Sequence, residues 1–208
     1  MKINRPKILI PAGVALVVVL AMAMLYALDL PPFKETREIK AGEVCGSLGD
    51  AARAETALKQ ILPKKSEYSS RDDTTASRVD EKDSSYGTYC FIYGDGKQIA
   101  VARAELVEYE NTDQWVKEVV EQLVPASSLT PFDAGDRAVA SSRIAAVYSP
   151  CLSRGASRYL SVHVHLKERG SASDSEIRSG LIELVENATA YAHSRARCDL
   201  PSKVNSTN

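Results

Sequence analysis

Residues Ile8 to Leu28 (ILIPAGVALVVVLAMAMLYAL) run for 21 positions without a charge. A helix of that length rises about 1.5 Å per residue and covers roughly 30 Å, the thickness of a bilayer's hydrocarbon core. Eleven of its residues are Leu, Ile or Val, each favouring the bilayer centre by about 0.3 to 0.6 kcal/mol. The run is expected to be a transmembrane segment, which makes the remainder a domain tethered to a membrane. Lys2, Arg5 and Lys7 precede it, and charges of mixed sign follow it from Asp29 onward. Cationic residues stay on the cytoplasmic side, so the N-terminus is expected inside and the C-terminal domain outside. Ala21-Met22-Ala23 matches the shape of a signal-peptide cleavage site. The following Met24-Leu25-Tyr26-Ala27-Leu28 stays apolar where a cleavage region turns polar, so an uncleaved signal anchor is expected.

The boundaries this implies are a cytoplasmic tip at 1–7, the anchor at 8–28, a juxtamembrane spacer at 29–42, an extracytoplasmic domain at 43–200 and a flexible tail at 201–208. The formal net charge is −1, and removing the three basic residues of the tip leaves −4 for the rest. That balance argues against nucleic acid as a partner, which requires a basic face. The four cysteines, Cys45, Cys90, Cys151 and Cys198, all lie beyond the anchor. An even count in an oxidising compartment reads as two disulfides. Zinc calls for close cysteine pairs, and the spacings here are 45, 61 and 47. Of the three connectivities, Cys45 with Cys90 and Cys151 with Cys198 is favoured, one bridge in each half.

The halves come from the hydrophobic pattern. After Cys45-Gly46-Ser47-Leu48-Gly49-Asp50 a helix is expected to about Leu62, with Leu48, Ala51, Ala52, Leu58, Ile61 and Leu62 at a 3.6 period, stopped by Pro63. Residues 64–87 are polar and Ser-rich, either a surface segment or the cover of a short strand near Ser66–Arg71. Thr88–Tyr93 and Lys97–Val107 flank Gly94-Asp95-Gly96 and read as a hairpin. Asn111 and Gln114 mark the start of a helix with the stripe Val116, Val119, Val120 and Leu123, ended by Pro125. Strands are then expected at Arg137–Ala140, Arg143–Ser149 and Ser157–Lys167, with a turn at Ser153-Arg154-Gly155. In the last strand Leu160, Val162, Val164 and Leu166 alternate with Tyr159, Ser161, His163 and His165, predicting one buried and one wetter face. Ser173 and Glu176 open a long helix from Asp174 to about Arg197 with the stripe Ile177, Leu181, Leu184, Val185, Ala188 and Ala192. Cys90–hairpin–helix and Cys151–hairpin–helix look like two copies of one unit. The fold class expected is α+β, with antiparallel hairpins, helices packed on one face, and two pseudo-repeats.

Val44-Cys45-Gly46 before a small-residue helix, Tyr89-Cys90-Phe91-Ile92-Tyr93 on a strand, and Ala196-Arg197-Cys198 closing an Ala-rich helix resemble a loose group of actinobacterial, streptomycete-type envelope proteins. These are single-pass membrane or lipoprotein-like chains with no established activity. The resemblance covers most of the extracytoplasmic domain and implies a location and a two-disulfide framework, not a mechanism. The lipobox of the lipoprotein members is absent here.

Candidate chemistry is sparse. His163-x-His165 places two imidazoles on one strand face and is a weak metal candidate, with His193 or a carboxylate needed as third ligand. No G-x-S-x-G, H-E-x-x-H, P-loop or G-x-G-x-x-G occurs. No catalytic residue and no cofactor is assigned, and the chain is not expected to be an enzyme. Asp72, Asp73, Asp80, Glu81 and Asp83 interleave with Lys64, Lys65, Arg71, Arg78 and Lys82, which reads as a solvated loop rather than a calcium site. Tyr86, Tyr89, Phe91 and Tyr93 form the densest aromatic cluster, read as strand core and rim before interface. The expected function is binding or interaction at the cell envelope, through the membrane segment and an unknown protein or small-ligand partner. The alternatives are a metal-assisted envelope hydrolase using His163 and His165, and a passive structural component.

Overall fold

The computed structural model describes residues 12–28, 35–80, 82–153 and 157–204, and the chain divides into two units, 1–36 and 37–208. In the first unit, helix α1 spans Ala12–Ala27, 16 residues. Among the described residues no helix is long and apolar enough to cross a membrane. Residues 1–11 and 29–34, which include the start of the uncharged run, the basic tip and Pro31-Pro32, lie outside the described residues. The described turns of α1 are apolar on every side, with Val14, Leu16, Val17 and Val19 all exposed.

The second unit is α+β. Its sheet has seven strands, all pairings antiparallel: β1 (Tyr68–Ala76), β2 (Gly87–Gly94), β3 (Lys97–Glu108), β4 (Thr130–Pro131), β5 (Arg137–Ala140), β6 (Ile144–Leu152) and β7 (Arg158–Leu166). The order across the sheet is β1-β2-β3-β7-β6-β5-β4. The hairpin between β2 and β3 turns at Asp95 and Gly96, both with positive φ, as the type I′ geometry demands. Two strands, β1 and β2, thus lie on one side of the central β3–β7 pair and three, β6, β5 and β4, on the other; within the pair Arg103 stands opposite His163. The polar stretch 64–87 holds β1, an edge strand. Its Arg71, Asp72 and Asp73 are exposed, and charges on an edge deter pairing with other chains. The expected turn at Ser153-Arg154-Gly155 falls partly on 154–156, outside the described residues.

Two long helices cover one face. Helix α2 (Ala51–Ile61) starts at Asp50, whose carboxylate accepts from Arg53 N at 2.9 Å. Helix α4 (Asp174–Arg195) starts in a complete capping box, with Ser173 and Glu176 bonding each other's backbone N–H. All six residues of its expected stripe are buried. The two helices touch at Gly180, where a Cβ would come within 2.5 Å of Ile61 Cγ2. Beneath them, alternate residues of β2, β3, β6 and β7 complete the main core, including Ile92, Ala102, Val147, Leu160 and Val164. Both disulfides form as expected. Cys45 joins Cys90 and Cys151 joins Cys198, with Cα atoms 5.8 and 4.5 Å apart.

The expectation of helices on one face needs correction. Helix α3 (Thr112–Trp115) runs on as a π-helical turn, Val116–Val120, and packs on the opposite face in a second core with Val139, Ile144, Ala146 and Tyr148. A single helix to Pro125 is therefore replaced by a short α-turn and a π-turn. The bond from Glu121 N to Val116 O spans five residues and rotates the apolar face, so Val124 is buried while Leu123 is 39 % exposed. Asn111 does cap the helix, but the Gln114 side chain bonds Glu118 instead of returning to the cap. The wetter face of β7 is corrected for the same reason. Trp115 lies over it and donates from Nε1 to Ser161 Oγ at 2.9 Å, and both Ser161 and His163 are buried.

Candidate functional site

The strongest candidate site is a polar cavity of about 270 Å³ where β1 and β2 meet the C-terminal end of α4. Strand alternation builds its floor. Asp72 and Thr74 pair with Cys90 and Thr88, so all four share the face that looks toward the helices. The disulfide from Cys90 to Cys45 brings in Ser47, which donates to Asp72 through its backbone N–H at 3.3 Å and through its hydroxyl. Tyr191, Ser194 and Arg195 come from the last turns of α4, followed by Arg197.

Two arginines latch this end shut. Arg78 Nη1 donates to Ala196 O at 3.1 Å and Arg197 O at 2.6 Å, satisfying carbonyls that the helix end leaves without an intrahelical partner. Arg197, in the left-handed region at φ 51°, donates back to Val79 O at 3.1 Å. Arg195 is exposed at the rim and makes no hydrogen bond or ion pair among the described residues. The wall carries Arg78, Arg195 and Arg197 against the single carboxylate of Asp72, so its formal charge is positive.

Two wall residues are polar, more than nine-tenths buried and without a hydrogen-bond partner among the described residues. They are Tyr86, 6 % exposed, and Thr88, 5 % exposed. The residues are buried, but their hydroxyl oxygens are not fully enclosed and open toward the cavity. Burial pushes the Tyr86 phenol up to about 12; nearby Arg195 opposes the shift and Asp72 reinforces it. The phenol therefore stays protonated at neutral pH, available as donor and acceptor.

The residues singled out from sequence are distributed differently. His163 and His165 do share a face, but the side of the sheet away from α4, so His193 on α4 cannot join them. His193 instead sits 2.7 Å from Leu200 O through Nε2. Burial, with Arg103 and His165 nearby, holds His163 down at about 4, and its Nδ1 has no partner among the described residues. A guanidinium opposite an imidazole opposes a cation there. Among the described residues only Cys45, Asp72 and Cys90 cluster as metal ligands do, and both sulfurs are tied in the disulfide. Asp72 and Asp73 point to opposite faces of β1, Asp80 and Asp83 bond their own loop's N–H groups, and Glu81 lies outside the described residues.

The aromatic cluster splits. Tyr86 enters the cavity, whereas Tyr89, Phe91 and Tyr93 lie half-exposed on the other face. There Arg71 lies over Phe91, Phe91 stacks on Tyr89 and Arg103 lies over Tyr89, at 5.0, 5.9 and 5.2 Å. Cation and ring thus form one continuous stack on this half-exposed face. A second depression near β4 is lined by Asp174 and Arg178, but Asp174 pairs with Arg169 and Arg178 donates to Thr130 O and Pro131 O. Among the described residues no histidine lines the first cavity, so its hydroxyls are not part of a Ser-His-Asp arrangement. No family model, no curated protein and no solved structure matches the chain.

Proposed function

We propose that the chain is a membrane-anchored, extracytoplasmic binding module whose cavity between β1, β2 and α4 takes a small polar ligand. The observation that carries this reading is the pair of partnerless hydroxyls on the buried residues Tyr86 and Thr88, whose oxygens open into one polar cavity. A polar wall of this kind suits recognition, because a ligand that completes the missing hydrogen bonds is preferred over one that cannot.

The anchor rests on different support. The uncharged run Ile8–Leu28 has the length and composition of a span. A helix apolar on every side, like α1, is suited to lipid or to a protein interior and to neither water nor an interface. Two disulfides belong to an oxidising compartment, and the basic tip sets the orientation with the C-terminal domain outside. The resemblance of its cysteine-bearing segments to actinobacterial envelope proteins implies the same location. The test of the cavity is a melting-temperature screen of the detergent-solubilised full chain against neutral, cationic and anionic metabolites, repeated on Ser194→Trp, which places a large ring at the rim. Stabilisation by at least one compound, lost in the variant, is expected. If no compound stabilises the wild type in a manner that the variant abolishes, the binding reading is wrong.

A further inference from the structure

We infer that the cavity selects a compact anion that also carries hydroxyl groups, of the class of a phosphorylated or carboxylated sugar. The inference rests on the binding reading above and names its ligand class. Three features of the wall lead to it.

The first is charge. Three arginines face one carboxylate, and that carboxylate is already engaged by Ser47 N–H and Oγ. Arg78 spends donors on backbone carbonyls at the α4 end, which offsets the negative pole of that helix, and Arg197 spends one on Val79 O beyond β1. Arg195 spends none within the described chain, and it stands at the rim where an anion would enter. A guanidinium grips phosphate or carboxylate with two parallel N–H bonds, a geometry no other side chain offers.

The second feature is the depth of the pocket. Behind the arginines the wall is hydroxyl-rich: Tyr86, Thr88 and Tyr191 face the same space as Asp72. A bare inorganic anion would leave these groups unmatched. A ligand with its own hydroxyls can donate to Asp72 and exchange bonds with Tyr86 and Thr88, whose hydroxyls have no other partner among the described residues. The third is size. A volume of about 270 Å³ equals the share of about nine waters at about 30 Å³ each, the scale of one sugar ring with a substituent. Charge alone would fit any anion, and hydroxyls alone any sugar; their arrangement at the rim and in the depth requires both on one molecule.

The experiment is calorimetric titration of the detergent-solubilised full chain with glucose 6-phosphate, glucuronate, glucose, glucosamine and inorganic phosphate. Glucose 6-phosphate or glucuronate is expected to bind at least about tenfold more tightly than glucose, glucosamine or phosphate, and to weaken as salt is raised. The two anionic sugars separate a phosphate-bearing from a carboxylate-bearing ligand. Arg195→Gln should weaken the preferred sugar about tenfold, and Tyr86→Phe about threefold to tenfold, each with an unchanged melting temperature because neither group has a partner to lose. Arg178→Gln, in the second depression, should change neither affinity. Equal or tighter binding of glucose or glucosamine overturns the anionic class and leaves the binding reading standing. So does inorganic phosphate matching both sugars, for the hydroxyl part. Binding that survives Arg195→Gln and Tyr86→Phe unchanged places the ligand elsewhere and overturns the inference. Absence of binding by all five overturns it as well; the metabolite screen above then decides separately whether the cavity binds anything.

Discussion

His163 converts burial into pH sensitivity. The side chain is 7 % exposed, and it is held at about 4 by burial first and then by Arg103 and His165. In the unfolded chain an imidazole titrates near 6.5. Between those values the unfolded chain takes up a proton that the folded one refuses, so stability falls as pH is lowered through the window. His165 and His193 are shifted in the same direction, again chiefly by burial. The expected loss from His163 alone is of the order of 3 kcal/mol by pH 4. Urea midpoints at pH 7 and pH 5 check it: His163→Gln should flatten the dependence, and a slope unchanged in that variant would assign it to other groups. Trp115 is the second decisive side chain. It is fully buried, stacks on Tyr148 at 5.0 Å and satisfies Ser161. Trp115→Phe should cost about 2 kcal/mol in chemical denaturation, through lost volume and a stranded hydroxyl.

Among the elements, α4 bears the most. It supplies core, one wall of the cavity and the approach to Cys198. Its start depends on the reciprocal bonds between Ser173 and Glu176, and Ser173→Ala should lower stability by about 1 kcal/mol, read as a drop in melting temperature. Its contact with α2 depends on Gly180. A methyl there meets Ile61 Cγ2 at 2.5 Å, so Gly180→Ala should destabilise by about 1 to 3 kcal/mol although alanine favours helix. A stabilised Gly180→Ala variant would mean that the helices can separate without loss. By contrast the π-turn at Val116–Val120 shows how one extra residue in a turn moves a face: it buries Val124 and leaves Leu123 in water.

For the molecule as a whole, the two disulfides do more than shorten the unfolded chain. Each closes a loop of similar length, 45 and 47 residues, worth about 4 kcal/mol in the chain-entropy model. Each also holds one wall of the cavity: Cys45–Cys90 places Ser47 against β1 and β2, and Cys151–Cys198 fixes the end of α4 from which Arg195 and Arg197 project. Replacing Cys151 and Cys198 together by Ala should therefore lower stability by about 4 kcal/mol and also weaken the sugar binding. Retention of full affinity in a folded double variant would separate the bridge from the site.

What could be read from one dimension was what depends on neighbours along the chain. The strands of both hairpins, the caps at Asn111 and Ser173, the buried stripe of α4 and the disulfide pairing all follow from local periodicity, turn residues or spacing. The edge strand β1 was hardly visible because an edge needs little apolar content, and the helix after β3 was read one turn too regular because nothing local announces a π-turn. The cavity was not visible at all. Its hydroxyls and arginines are ordinary surface residues in sequence, and Ser47, Asp72 and Tyr86 come from one half while Tyr191, Arg195 and Arg197 come from the other. Only the folding of α4 across the sheet sets them around one space. Local order along a chain follows from short-range sterics and periodic burial, whereas a site assembled from distant segments exists only after long-range packing has joined them.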